Sequence, residues 1–253
     1  MSADIYSISV YKGGVAKTTT TAILAQAAAY KGARVLVIDL DAQANASLFL
    51  SAKIGGPGSY GLLTGTPAAD LIQHTPAGVD VIPASQNLAA ITSERGSARR
   101  LRRALTPISN EYDYIFIDTH GTGGELLYNA LMAATDLIMP IEQDIYNLQA
   151  LYQTMETAQQ IRRSNPGLTV AGFIFTKCRH NTRIGRQLRE TIIDAANKKN
   201  IPYLGAVRLG VAVDEAAARR ESIYQYAPNS NPARDYLSIF EKLEKEHQKR
   251  EEQ

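Results

Sequence analysis

Apolar and polar positions alternate in blocks along this chain, and the blocks themselves alternate in kind. Ile5-Tyr6-Ser7-Ile8-Ser9-Val10 switches apolar and polar residue by residue, the pattern of a strand. Val35-Leu36-Val37-Ile38 is an unbroken apolar run, which predicts a parallel strand buried on both faces. Further short apolar runs at 79–83, 114–117, 136–141, 170–175 and 202–206 read as strands. Between them, 18–30, 88–105, 148–163, 182–197 and 232 onward carry helical spacing. The stretch 51–66 is rich in Gly, Ser and Pro and predicts an irregular crossing with a short helix after it. This order of elements predicts an α/β fold: a mostly parallel, twisted sheet of seven or eight strands with helices on both faces. No linker or repeat interrupts it, so 1–253 is expected to be a single domain.

The junction of the first strand and first helix holds the most informative residues, Lys12-Gly13-Gly14-Val15-Ala16-Lys17-Thr18-Thr19. A glycine-rich turn running into a helix start turns backbone N–H groups inward and adds the positive end of the helix dipole, which together cradle phosphate. Lys17 supplies a point charge for β/γ-phosphates, and the Thr18 hydroxyl suits Mg²⁺. The usual phosphate-loop pattern G-x-x-x-x-G-K-[ST] is not met, because Lys12 and Ala16 occupy its glycine positions.

The variant that does fit, K-G-G-x-x-K-[ST], resembles the deviant Walker-A loop of the ParA/MinD group of P-loop ATPases. That resemblance implies ATP and Mg²⁺ as ligands and a P-loop NTPase fold. It also implies that Lys12 reaches the nucleotide of a partner in an ATP-dependent sandwich homodimer. Asp39-Leu40-Asp41-Ala42-Gln43-Ala44-Asn45 is similar to the ParA stretch D-x-D-P-Q-G-N. By that match Asp41 orients or deprotonates the attacking water, and Asp39 supports Mg²⁺ and its waters. Ala44 at the glycine position implies that a positive φ is not required there. Asp118 ends the apolar strand Tyr114-Ile115-Phe116-Ile117, the Walker-B arrangement in which a carboxylate holds Mg²⁺ through water. ParA proteins commonly read D-T-P-P here, and this chain has His120-Gly121 in place of the prolines. His120 either touches the γ-phosphate or is a tolerated surface substitution. Ser222-Ile223-Tyr224-Gln225-Tyr226-Ala227-Pro228-Asn229-Ser230 looks like the family's S-I-x-x-Y-x-P-x-S, so the likeness spans nearly the whole chain. Near Asp214-Glu215-Ala216 the family often has an arginine where this chain has Ala212.

Composition narrows the alternatives. A hydrophobic content of 45% with 21% charged residues is that of a globular chain. One cysteine, Cys178, excludes a disulfide framework and argues against a nitrogenase iron-protein relative, which needs two. No basic, apolar leader opens the sequence and no run approaches the ~18 apolar residues of a membrane span, so a cytoplasmic location is expected.

A net charge of +2 says little about nucleic acid, but the basic residues cluster locally. Arg179, Arg183, Arg186 and Arg189 recur near one helical turn, and the last three are predicted to share a helix face. Lys198, Lys199, Arg219 and Arg220 follow. The resemblance implies double-stranded DNA bound there without sequence preference, hence a nucleoid-associated protein, with Arg95, Arg99, Arg100, Arg102 and Arg103 as a competing site. It further implies a ParB-like centromere-binding partner that stimulates hydrolysis. Two alternatives stay open: an ATPase of this type that positions a non-DNA cargo, and a MinD-like membrane switch. The latter needs a bulky apolar face near the C-terminus, and nothing apolar follows Leu243. With only Met1 to Asp4 before the first strand, no operator-binding helix-turn-helix is expected.

Overall fold

A computed structural model of the chain describes residues 3–91, 98–121, 123–178 and 183–251. Eight strands form one sheet: β1 (Asp4–Ile8), β2 (Val35–Leu40), β3 (Gln73–His74), β4 (Asp80–Ile82), β5 (Tyr114–Thr119), β6 (Asp136–Ile141), β7 (Thr169–Cys178) and β8 (Tyr203–Arg208). Their spatial order is β3-β4-β2-β5-β1-β6-β7-β8, parallel except for the short β3 at one edge. The helices are α1 (Lys17–Tyr30), α2 (Asn45–Phe49), α3 (Gly58–Thr64), α4 (Leu88–Ile91), α5 (Arg100–Leu105), α6 (Glu125–Ala133), α7 (Asn147–Arg162), α8 (Arg183–Asn197), α9 (Ala212–Arg219), α10 (Ile223–Tyr226) and α11 (Asn231–Glu251).

The unbroken apolar strands supply two cores, one on each face of the sheet, because successive side chains of a strand point in opposite directions. Leu36, Ile38 and Leu40 of β2 join Ile115 and Ile117 of β5 in the layer covered by α3 to α8. Val35 and Val37 join Phe116, Tyr6 and Ile8 in the opposite layer, under α1, α10 and α11. Helix α1 is enclosed: all residues from Thr20 to Ala28 are buried. Thr20 Oγ1 and the Tyr236 hydroxyl of α11 are 3.0 Å apart, and Gln26 Oε1 accepts the Ile223 N–H at 3.1 Å.

Two local expectations change, and one short strand was not foreseen. The helix predicted over 88–105 comprises two short helices, α4 and α5, with 92–97, and so Arg95, outside the described residues. Helix α3 lies inside the stretch read as irregular. Its first glycine allows close packing: a Cβ on Gly58 would stand 2.2 Å from the Pro83 carbonyl oxygen. The edge strand β3 is too short to leave a hydrophobic pattern.

Candidate nucleotide site

The central strands β5, β1 and β6 deliver their C-terminal ends to one edge of the sheet, where ligands bind in open α/β folds. The Lys12–Thr19 loop leaves β1 there and turns into α1. Ala16, just before the helix, sits at φ 61° and ψ 36°, and Gly14 is also at positive φ. A left-handed alanine costs about 1–2 kcal/mol, so the loop is held from outside. Thr176 Oγ1 at the end of β7 donates to the Val15 carbonyl at 3.1 Å, and Lys177 Nζ donates to the Gly14 carbonyl. Lys177 also pairs with Glu142 at 2.8 Å. Sequence reasoning missed both residues. Their only signal was their place directly after the apolar run 170–175.

The two loop lysines part company. Lys17 is buried, and its Nζ donates to the Lys12 carbonyl at 2.6 Å. Burial lowers the pKa of its ammonium group, against the opposing pull of Asp118 and Asp41. The Lys12 side chain lies on the rim, 3.9 Å from Asp144 Oδ2, with both groups partly exposed.

Beneath the loop, Thr18 Oγ1 donates to Asp118 Oδ2 at 2.8 Å and Thr21 Oγ1 donates to Asp118 Oδ1 at 3.1 Å. Asp118 is buried, and desolvation, helped by Asp39, pushes its carboxyl up to about 8 despite those two hydrogen bonds. Asp39 is buried beside it and also raised, again chiefly by desolvation. Its oxygens are already engaged: Oδ1 accepts the Asp41 N–H at 3.0 Å, and Oδ2 accepts the Ser47 N–H at 2.8 Å and the Ser47 hydroxyl at 2.7 Å. Asp39 therefore anchors the turn into α2, a role the sequence did not reveal.

That turn corrects the expectation for Ala44, which adopts φ 56° and ψ 28°. The left-handed conformation is used although the residue is not glycine. Hydrogen bonds overdetermine the turn: Ala44 N–H donates to the Asp41 carbonyl at 2.8 Å, and Gln43 N–H to Asp41 Oδ1 at 3.0 Å. Asp41 Oδ2 lies 3.0 Å from His120 Nδ1, so His120 faces an acid of the site as well as solvent.

A threonine hydroxyl and buried carboxylates are hard oxygen donors, which fit Mg²⁺. Among the described residues no three His, Cys, Asp or Glu side chains converge as a complete metal cage.

The basic residues are dispersed. Arg186 is exposed on α8, whereas Arg189 is half-buried, hydrogen-bonded to Tyr203. With its amide turned to present oxygen, Gln143 also accepts from Arg189 Nε at 2.8 Å. The expected shared face is thus divided, because the long Arg189 side chain reaches the ends of β6 and β8. Of Arg183 only its place in α8 is described, and Arg179 is outside the described residues. Lys198 and Lys199 are exposed, with Lys199 Nζ 5.9 Å from the centre of the Tyr152 ring. Arg219 and Arg220 are exposed at the C-terminal end of α9, on the opposite side of the sheet from α8.

An AAA domain family model matches residues 3–170. The sporulation initiation inhibitor protein Soj of Bacillus subtilis is 32% identical over 248 residues, covering 94% of this chain and 97% of Soj. The chromosome partitioning protein ParA of Myxococcus xanthus is 32% identical over 250 residues, covering 95% of this chain and 88% of that protein. Among solved structures, cobyrinic acid a,c-diamide synthase from Mycobacterium smegmatis with bound ADP and magnesium aligns at a TM-score of 0.81 and 25% identity. That alignment covers 95% of this chain and 94% of the synthase. Likeness of this extent to Soj and ParA, over most of each chain, assigns the chain to the ParA family.

Proposed function

We propose that this chain is a Mg²⁺-dependent partition ATPase with weak intrinsic turnover. It forms a sandwich homodimer when ATP is bound and holds double-stranded DNA without sequence preference. A ParB-like centromere-binding partner stimulates its hydrolysis, and it acts in the cytoplasm on the nucleoid. Full-length likeness to Soj and ParA supports the partition role, and ADP and magnesium in the synthase support the ligands.

The observation that carries the reading is the divergence of the two loop lysines. Lys17 is held inward against its own loop, where it meets the phosphates of its own nucleotide. Lys12 stays on the rim in a long ion pair with Asp144, partly exposed and within reach of a second chain. A cation brought by a neighbouring chain stabilises charge on a transferring phosphoryl group. Thr18, with Asp118 behind it, would hold Mg²⁺, which when bound neutralises charge on the phosphate oxygens. Asp41, nearly buried at the rim of the loop, takes up and orients the attacking water. The apolar face of α11 is used in the core: Tyr236, Ile239, Phe240 and Leu243 are buried. Among the described residues no helix is long and apolar enough to cross a membrane.

Turnover by the purified protein, with and without unrelated duplex DNA, tests the reading together with light scattering in a slowly hydrolysed ATP analogue. Wild type should hydrolyse ATP and form dimers. Lys12→Ala should bind ATP yet neither dimerise nor turn over, and Lys17→Ala should lose ATP affinity. A Lys12→Ala protein that dimerises and hydrolyses normally overturns the sandwich assignment.

A further inference from the structure

His120 and Gly121, directly after β5, touch both halves of the site. A Cβ on Gly121 would stand 2.9 Å from the Lys12 carbonyl carbon and oxygen and from Gly13 N, so this backbone lies directly against the phosphate loop. One residue earlier, His120 Nδ1 is 3.0 Å from Asp41 Oδ2. The other Asp41 oxygen accepts the Gln43 N–H. A carboxylate accepts hydrogen bonds, so in this contact the imidazole Nδ1–H is the donor to Asp41 Oδ2. His120 and Asp41 line one cavity of about 240 Å³ with Gln43 and Leu127.

We propose that His120 is a positioning residue for Asp41. It holds the carboxylate oxygen that the Gln43 amide leaves free, so that the acid has a donor on each oxygen and a fixed orientation. The proposal rests on the reading of Asp41 as the group that orients water. Proline side chains at this position have no donor, so the clamp belongs to this chain's own sequence. The adjoining Gly121 lets this backbone rest against Lys12 and Gly13, which ties the clamp to the 12–19 loop.

The test is steady-state ATP hydrolysis by the full chain, with ATP affinity and thermal melting measured on each variant. His120→Ala should lower kcat roughly ten- to hundredfold while leaving KM and ATP affinity unchanged, because a misplaced catalytic group costs rate on that scale. His120→Asn should restore most of the rate, since its amide nitrogen stands at the same remove from the backbone as Nδ1. His120→Gln, whose amide lies one bond farther out, should not. Because His120 is half exposed, all three variants should melt near wild type. Unchanged kcat in His120→Ala, an equal loss in the Asn variant, or a loss confined to KM overturns the proposal. Absence of turnover in wild type overturns the ATPase reading and this proposal with it. Turnover in wild type with an indifferent His120→Ala overturns the clamp alone.

Discussion

Asp39 and Asp118 are partners in register across β2 and β5, two buried acids side by side at the strand ends. Burial and mutual repulsion favour the neutral acid, and Asp118 titrates near 8 instead of its ordinary 3.8. A carboxyl raised in the folded state contributes stability at low pH and loses it as pH rises from the unfolded value through the folded one. Asp118→Asn should therefore be more stable than wild type without nucleotide. Its advantage in melting temperature should grow from about pH 4 to pH 8 and then level off. Melting curves across that range in magnesium-free buffer check this. A difference independent of pH would mean that Asp118 is ionised throughout.

Ala44 is left-handed without being glycine, so Ala44→Gly should relieve strain. A gain of about 1 kcal/mol, or roughly 2 °C in melting temperature for a chain of this size, is expected from chemical and thermal unfolding. Loss of stability would show that the alanine methyl packs favourably enough to offset the backbone cost.

Gly121 has no room for a side chain against Lys12 and Gly13. Gly121→Ala should push the β5–α6 connection off the phosphate loop and weaken ATP binding, with a stability cost of about 1–3 kcal/mol. Calorimetric titration with ATP and magnesium checks the affinity. Wild-type affinity in a well-folded variant would show that the loop and this segment move independently.

For DNA, the division of α8 changes which arginines to test. Arg186 is exposed, whereas Arg189 is engaged by Tyr203. Replacing Arg186, Lys198 and Lys199 by Glu should abolish DNA binding while leaving ATP-dependent dimers intact. In single substitutions, each lost phosphate contact should lower the slope of log affinity against log salt by about one. Arg189→Glu should in addition lower the melting temperature. Gel shifts at several salt concentrations, alongside sedimentation, separate these effects. Normal DNA binding by the triple variant would redirect attention to Arg100 and its neighbours.

The candidate phosphate loop at 12–19 stood out in the sequence because its residues are contiguous and each has its own chemical signature. The strands were legible because apolar runs such as 35–38 leave few alternatives to a buried parallel strand. What stayed hidden depends on contacts between distant segments. Asp41 and His120 are 79 residues apart, and Thr176 and Val15 are 161 apart. No pattern along one strand reveals what its end will touch. Residue type misled at Ala44, where a left-handed backbone costs little enough for a few hydrogen bonds to offset. It misled again around Gly58, where a glycine at positive φ opens helix α3 and also allows a close approach to Pro83.

The enclosure of α1 bears on how the chain is made. The helix that opens at the phosphate loop is buried along most of its length, and part of its cover comes from α10 and α11, about 200 residues later. During synthesis the first helix waits without that cover while the intervening strands emerge, a delay of roughly 10–40 s at typical rates of elongation. A nascent chain therefore exposes an apolar, alanine-rich helix for that time. Chains interrupted before Tyr236 should carry every residue of the phosphate loop and still lack a firm nucleotide cradle.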